Sequence, residues 1–329
     1  MASPQDPPLS APSDAHSAAA RTAVPYRPLC TARSLFVPLR GLTYHVHAWG
    51  DAALASPERP VLLMLHGWMD VGASFQFVVD ALATAEGFPR RVLAPDWRGF
   101  GLTSVPPADS YWFPDYLGDL DALLDALVPG QRVDLVGHSM GGNVVMSYAG
   151  VRPDRIRRLV NLEGFGLPRA EPRHAPRRLA KWLDALKTPQ SLRDYASLDE
   201  VAARLMKNNP RLTPDKARWL APHWSQPDGH GRWRILGDPA HKRPNPMIYR
   251  VDEILETWRG ITAPLLWVEG DTTDVAQWWG GRYSAAEFHE RLTVVRHTER
   301  HKLADCGHML HHDQPAALAQ RLAGFLGAA

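Results

Sequence analysis

From residue 60 onward the chain falls into short, uninterrupted apolar runs, each closing on a glycine or a polar residue. PVLLMLHG (60–67) is the first, and RRVLAPDW, QRVDLVGHS, IRRLVNLEG and APLLWVEGD repeat its form. Runs of this length suit strands buried on both faces of a parallel sheet. Between them the spacing of apolar positions changes to a helical period over 73–86, 114–127 and 140–151, and again over 315–326 near the end. Ahead of the runs, SLFVPLR and LTYHVHAW alternate apolar and polar residues around Gly41, the pattern of an antiparallel hairpin with one buried face. Alternating strand and helix predicts an α/β sheet with right-handed crossovers.

Two stretches break this rhythm. Residues 1–33 are rich in proline, alanine and serine and have little to bury, so a disordered tail is expected. From 165 to 258 the apolar runs stop. Helical pieces such as APRRLAKWLDALK, LDEVAARLMKN and TPDKARWLAPHW alternate with turn-rich ones such as QPDGHGR. The predicted division is therefore a sheet domain formed by 34–164 and 259–329, with a helical insertion of 165–258 inside it. No internal repeat is present.

One segment carries recognisable chemistry. DLVGHSMGG fits G-x-S-x-G with Gly137, Ser139 and Gly141, preceded by an apolar strand and followed by a helical pattern. A sharp strand-to-helix turn there lifts the serine hydroxyl above the carboxyl edge of the sheet, and the glycines let neighbouring backbone approach. Ser139 is the expected nucleophile. A serine needs a base to take its proton, and His308 in LADCGHMLHHDQP lies between the last strand pattern and the final helix, where a loop overhangs that edge. His311 and His312 follow it, but the H-E-x-x-H arrangement of a metal site is missing, so no metal is expected. His138 reads as a packing neighbour of the nucleophile and His66 as support for the loop after the first buried strand.

Together, LHGW (65–68), DWRGFGLT (96–103), GHSMGG (137–142) and CGHMLHHDQP (306–315) resemble the α/β-hydrolase fold superfamily, in that family's order. The resemblance covers residue 34 to the end. It implies an eight-stranded, mostly parallel sheet with helices on both faces and a helical cap after strand six. Within the family the chain is similar to the serine-hydrolase-like branch. Its shape also resembles haloalkane dehalogenases and epoxide hydrolases, whose aspartate nucleophile is replaced here by Ser139. The resemblance places the oxyanion-hole N–H groups on Trp68 and Met140. It puts the triad acid three residues past the glycine after strand seven, where VEGDTTDV offers Thr273 instead of a carboxylate. Asp274, one residue later, is the leading choice; Glu163 at the end of strand six and Asp271 are the alternatives. Arg98 of D-x-R-G is expected to order loops.

Composition adds limits. Lys and Arg number 37 against 35 Asp and Glu, a net charge of +2 that gives no reason to expect nucleic acid as a partner. A basic stretch at 152–181 reads as a solvated face. Cys30 and Cys306 are too few for a disulfide framework, and neither a membrane-spanning run nor a secretory signal is present, so a cytoplasmic protein is expected. Five of the 12 tryptophans fall in the insertion, where they fill the cap or line an apolar pocket. The expected function is hydrolysis of a small-molecule carboxylic ester through an acyl-enzyme, without a cofactor. Cleavage of C–C bonds, lactones or amides, perhydrolysis and a non-catalytic binding scaffold are the alternatives. Oligomeric state is left open.

Overall fold

The computed structural model describes residues 24–85 and 90–327. Most of the expected tail, 1–23, lies outside them. Eight strands form one sheet in the order β1-β2-β4-β3-β5-β6-β10-β11. They are β1 (Arg33–Leu39), β2 (Leu42–Trp49), β3 (Leu62–Leu65), β4 (Val92–Pro95), β5 (Val133–His138), β6 (Ile156–Leu162), β10 (Leu265–Gly270) and β11 (Thr298–Leu303). β2 runs antiparallel to β1 and β4; every other pairing is parallel. All residues of β3, β4, β5 and β10 are buried, because helices cover both faces. The strand period of two then feeds two cores. Leu63, Leu65, Leu135 and Leu265 face one, with Tyr116 and Leu120 of α2 (Phe113–Leu127) and Val144 of α3 (Met140–Val151). Leu62, Met64, Val136 and Leu266 face the other, with Val78 of α1 (Gln76–Ala83) and Leu322 of α11 (Pro315–Gly327).

The insertion holds α4 (Ala175–Leu186), α5 (Leu198–Asn208) and α6 (Pro214–Trp224). It also holds a small antiparallel sheet that sequence periodicity did not anticipate: β7 (Asp194–Tyr195), β8 (Ser225–Pro227) and β9 (Trp233–Ile235), in the order β7-β9-β8. Strands of two or three residues are too short to show a period of two. Val201, Leu205, Leu212 and Leu220 make a third, separate core there. A second difference concerns the far boundary. Helix α7 (Val251–Arg259), assigned by sequence to the insertion, packs on α3, and its Trp258 joins the main core.

Main-chain hydrogen bonds fasten the cap to the loop after β4. Gly101 N–H donates to the Leu236 carbonyl at 3.0 Å, and Asp238 N–H to the Gly99 carbonyl at 2.8 Å, on either side of a Phe100–Gly237 bridge. The His241 ring stacks between Tyr111 and Phe100, with centroids at 3.5 and 3.9 Å. Arg98 of the same loop forms a two-pronged pair with Asp119 of α2, at 2.5 and 2.8 Å, and Asp119 also accepts the Tyr44 hydroxyl from β2. The motif arginine therefore ties loop, helix and sheet together.

Residues 24–33, expected to belong to a loose tail, dock on α1. Leu29 and Cys30 N–H both donate to the Asp80 carboxylate, at 3.0 and 2.9 Å, and Tyr26 packs edge-on against Phe77 and Trp219. The basic stretch is largely paired: Arg155 with Asp125, Arg157 with Asp134, Arg169 with Asp252. Among the described residues no helix is long and apolar enough to cross a membrane.

Candidate active site

β5 ends at His138 and α3 begins at Met140, so Ser139 occupies the single residue of the turn between them. Its φ of 52° and ψ of −113° lie outside the regions a side-chain-bearing residue normally adopts. Such strain costs about 1–3 kcal/mol and persists only where the surroundings enforce it. The enforcement is visible. Ser139 N–H donates to the Leu162 carbonyl at 2.8 Å, its own carbonyl accepts Asn143 N–H at 3.0 Å, and a Cβ on Gly137 would collide with the Gly141 carbonyl. The glycine pattern is needed because the helix returns directly over the strand.

The half-buried His308 lies in the loop after β11. Its Nε2 is 3.0 Å from Ser139 Oγ, and its Nδ1 is 2.7 Å from Glu163 Oε2. A carboxylate only accepts, so Nδ1 carries the proton and Nε2 is free to accept from the serine. Glu163 is fully buried at the end of β6, the strand lying between β5 and β10. It also accepts Gly270 N–H at 2.7 Å and the Thr273 hydroxyl at 3.0 Å.

The carboxylate against His308 is thus Glu163, not the favoured Asp274. Asp274 caps the short helix α8 (Val275–Trp278) through Gln277 N–H at 3.0 Å. Thr273 stands where the family spacing calls for an acid and supplies a hydroxyl to Glu163 instead. Asp271 has a different task, holding Asp305 and Cys306 N–H at 3.0 and 2.9 Å and so fixing the turn that leads to His308. The edge of Trp278 rests on the His308 ring at 4.7 Å.

The two expected oxyanion residues both border Ser139. Met140 is the first residue of α3, where helical geometry leaves the N–H without an intrahelical acceptor at the positive end of the helix dipole. Trp68 follows β3 through Gly67, and a Cβ on Gly67 would come within 3.1 Å of Ser139 Cβ. His66 Nδ1 donates to the Gly67 carbonyl at 2.7 Å, while its Nε2 accepts Trp97 N–H at 2.8 Å. Burial holds this imidazole neutral. Because the carbonyl and N–H of a trans peptide point in opposite directions, tying down the Gly67 carbonyl turns the Trp68 N–H away from His66.

Above Ser139 and His308 a cavity of about 530 Å³ separates the sheet edge from the cap. Trp68, Leu205, Trp224 and Ile235 supply apolar walls, and Arg193, Arg204 and Lys242 bring positive charge to them. The charged residues come from exposed cap positions, and nothing in their spacing points to a cavity, so sequence reasoning missed them. Of the cap tryptophans expected to fill the cap or line a pocket, Trp224 lines this cavity, Trp219 packs against Phe77, and Trp182 donates to the Ser110 hydroxyl at 3.0 Å.

Comparison with known proteins agrees with the fold. The sequence model of the α/β hydrolase fold family matches residues 60–315. The chain is 37% identical to epoxide hydrolase 2 of Siraitia grosvenorii over 127 residues, and 35% identical to a serine hydrolase-like protein of Danio rerio over 119 residues. These matches take in 38% and 36% of this chain, and span only 37% and 33% of those relatives' lengths. A longer match, 26% identity covering 77% of each chain, is to a cis-3-alkyl-4-alkyloxetan-2-one decarboxylase of Shewanella oneidensis. Among solved structures, the thioesterase domain from the curacin biosynthetic pathway is similar at a TM-score of 0.74 and 28% identity, covering 89% of this chain and 99% of that one.

Proposed function

The chain belongs to the α/β hydrolase fold family, and from that premise we propose that it is a serine hydrolase of carboxylic esters. The observation that carries this reading is the unbroken relay from Ser139 Oγ through His308 to Glu163, at 3.0 and 2.7 Å. Ser139 attacks the ester carbonyl while His308 Nε2 takes its proton. Glu163 holds the Nδ1–H and stabilises the imidazolium that forms. The Trp68 and Met140 N–H groups receive the developing oxyanion, a contribution worth about 10²–10³ in turnover per donor. The imidazolium then protonates the departing alcohol, and a water activated by His308 releases the acyl group.

The apolar walls with Arg193, Arg204 and Lys242 suit a small or medium ester that is partly apolar and carries a negative group. Lactone opening is the second reading, favoured by the decarboxylase relative that matches 77% of the chain. Cys30 and Cys306 are both free thiols, which suits a reducing compartment such as the cytoplasm.

A fluorophosphonate probe is expected to label the native protein at Ser139, and a panel of p-nitrophenyl esters, neutral and anionic, to be turned over. Ser139→Ala should lose both properties while remaining folded. A folded wild-type sample that neither reacts with the probe nor hydrolyses any ester on the panel overturns the proposal; turnover of lactones alone favours the second reading.

A further inference from the structure

Below the cavity floor lies a group of side chains that the Ser139–His308–Glu163 relay does not use. Asp70 follows β3, His138 ends β5, and His311 and His312 sit in α10 (Leu310–Asp313); all four are at most 4% exposed. Three of them converge, with one ligating atom each of Asp70, His138 and His311 within 4.8 Å of the others.

Their polar atoms are incompletely satisfied. Asp70 Oδ1 accepts Val71 N–H at 2.9 Å and the Ser74 hydroxyl. Asp70 Oδ2 has only a long contact, to His311 Nε2 at 3.4 Å. His138 donates Nε2–H to the His308 carbonyl at 2.7 Å. Burial keeps that imidazole neutral, so its Nδ1 is a bare lone pair, and it is buried without a partner. His311 Nδ1 is likewise buried without a hydrogen bond, and its Nε2 has only the long contact with Asp70. A buried polar atom left unpaired costs about 1–3 kcal/mol.

A second buried trio, His45, His47 and Asp96, shows the difference. There His45 bonds Asp96 and Ser34, both at 2.8 Å, and Asp96 takes Gly72 and Leu102 N–H at 2.7 and 3.0 Å. There the carboxylate and His45 already have close protein partners.

We propose that Asp70, His138 and His311 form a binding site for a divalent transition-metal ion of the zinc type. Two imidazoles and a carboxylate are the donor set such ions prefer. Metal–donor bonds of about 2.0–2.1 Å put tetrahedral donors about 3.3–3.4 Å apart. The Asp70–His311 pair already stands at that separation, and the remaining pairs have to close from within 4.8 Å. His138 has the orientation of a metal ligand, since its other nitrogen donates to a main-chain carbonyl. With its proton on Nδ1, His311 turns a second lone pair toward Asp70 beside that of His138, and two lone pairs with an anionic oxygen suit a cation better than a water molecule, whose two protons cannot serve three acceptors. The route in is the cavity itself, which Asp70, His138 and His312 all line.

Occupancy bears on the relay. The His138 ring lies 4.8 Å from that of His308, so a dication on His138 opposes the positive charge that His308 takes up when it deprotonates Ser139. The ion is expected to inhibit.

The test uses the full chain stripped with a chelator and titrated with Co²⁺ alone. Visible absorption bands of a low-coordinate site saturating at one equivalent, and displaced by Zn²⁺, are expected. Asp70→Asn and His311→Gln should each weaken binding by about tenfold or more, while His230→Gln, on an exposed loop, leaves it unchanged. Absence of the bands, or equal affinity in all variants, overturns the proposal. X-ray absorption on the zinc-loaded wild type needs no variant. A shell of two imidazoles with oxygen supports the site, and a shell of oxygens alone or of one imidazole overturns it. Zn²⁺ should lower kcat reversibly on any substrate the enzyme turns over; unchanged kcat at saturation overturns the inhibitory role.

Discussion

At Glu163 the backbone turns to a φ of 54° immediately after β6, a left-handed conformation costing a residue with a side chain roughly 1–2 kcal/mol. Asn161 supports the turn, accepting Gly164 N–H at 2.8 Å. What the turn achieves is to place the carboxylate under His308 from the strand next to the nucleophile. Glu163→Gln keeps the shape and removes the charge that stabilises the imidazolium, so kcat should fall by about 10³–10⁴ with the fold intact. Asp274→Asn retains an effective helix cap and should leave kcat within about twofold, because asparagine and aspartate cap helices about equally well. Steady-state kinetics on the two variants side by side decides the matter, and the reverse pattern would return the role to Asp274. That Ser139 and His308 come together was legible, because turn chemistry and chain order constrain both. The carboxylate beside His308 was not, because its position depends on which strand lies beside β5, and a family spacing pointed to the loop after β10, where Thr273 donates to Glu163.

Among elements, the loop after β4 joins sheet, helix and cap. Arg98 and the Tyr44 hydroxyl both converge on Asp119, which is fully buried, while Arg40 reaches the same carboxylate at 2.7 Å. Asp119→Ala leaves the buried Tyr44 hydroxyl without its acceptor and the buried Arg98 guanidinium with only the partly exposed Asp115, at 3.0 Å. The expected loss is about 3–5 kcal/mol, the range for breaking a buried pair from one side. Urea denaturation should show a lower midpoint at unchanged slope; a loss below 1 kcal/mol would mean the pair is not structural. The structural role of Arg98 could be read from its motif, whereas its partner, 21 residues further on in α2, could not. In the same way the long cap helices could be read from their period, but β7, β8 and β9 could not. The ownership of α7 is set by which surface it covers rather than by its own sequence.

Across the whole molecule, many of the 15 histidines are buried and uncharged. Desolvation pushes His47 and His241 down to about 4 and holds His138 and His312 well below the ordinary value. The unfolded chain protonates these residues as pH drops through about 6.5 and the folded chain does not, so unfolding takes up protons. Stability is therefore full above pH 6.5 and declines toward pH 4, by about 1.4 kcal/mol per pH unit for each proton taken up. Burial works against the charged forms of Asp70 and Asp96, but contacts with His311 and His45 outweigh it and hold both below the usual carboxylate range. Their contribution is lost at still lower pH. Thermal unfolding should give a constant Tm from pH 8 to 7 and a steady fall from 6.5 to 4.5; a flat profile over that whole interval contradicts the neutral-histidine account.

The fastening of the cap to the loop after β4 has one more consequence. Its two central hydrogen bonds run from peptide to peptide, at Gly101–Leu236 and Asp238–Gly99. Hydrogen bonds of that kind need the glycines at 99 and 101, where a Cβ would meet Tyr111 and Asp96, but they make no demand on the side chains that face the cavity. The walls facing the cavity are therefore free to change from one descendant sequence to the next while the roof keeps its seat. A lineage built on this plan can explore new substrates without first having to reinvent the joint.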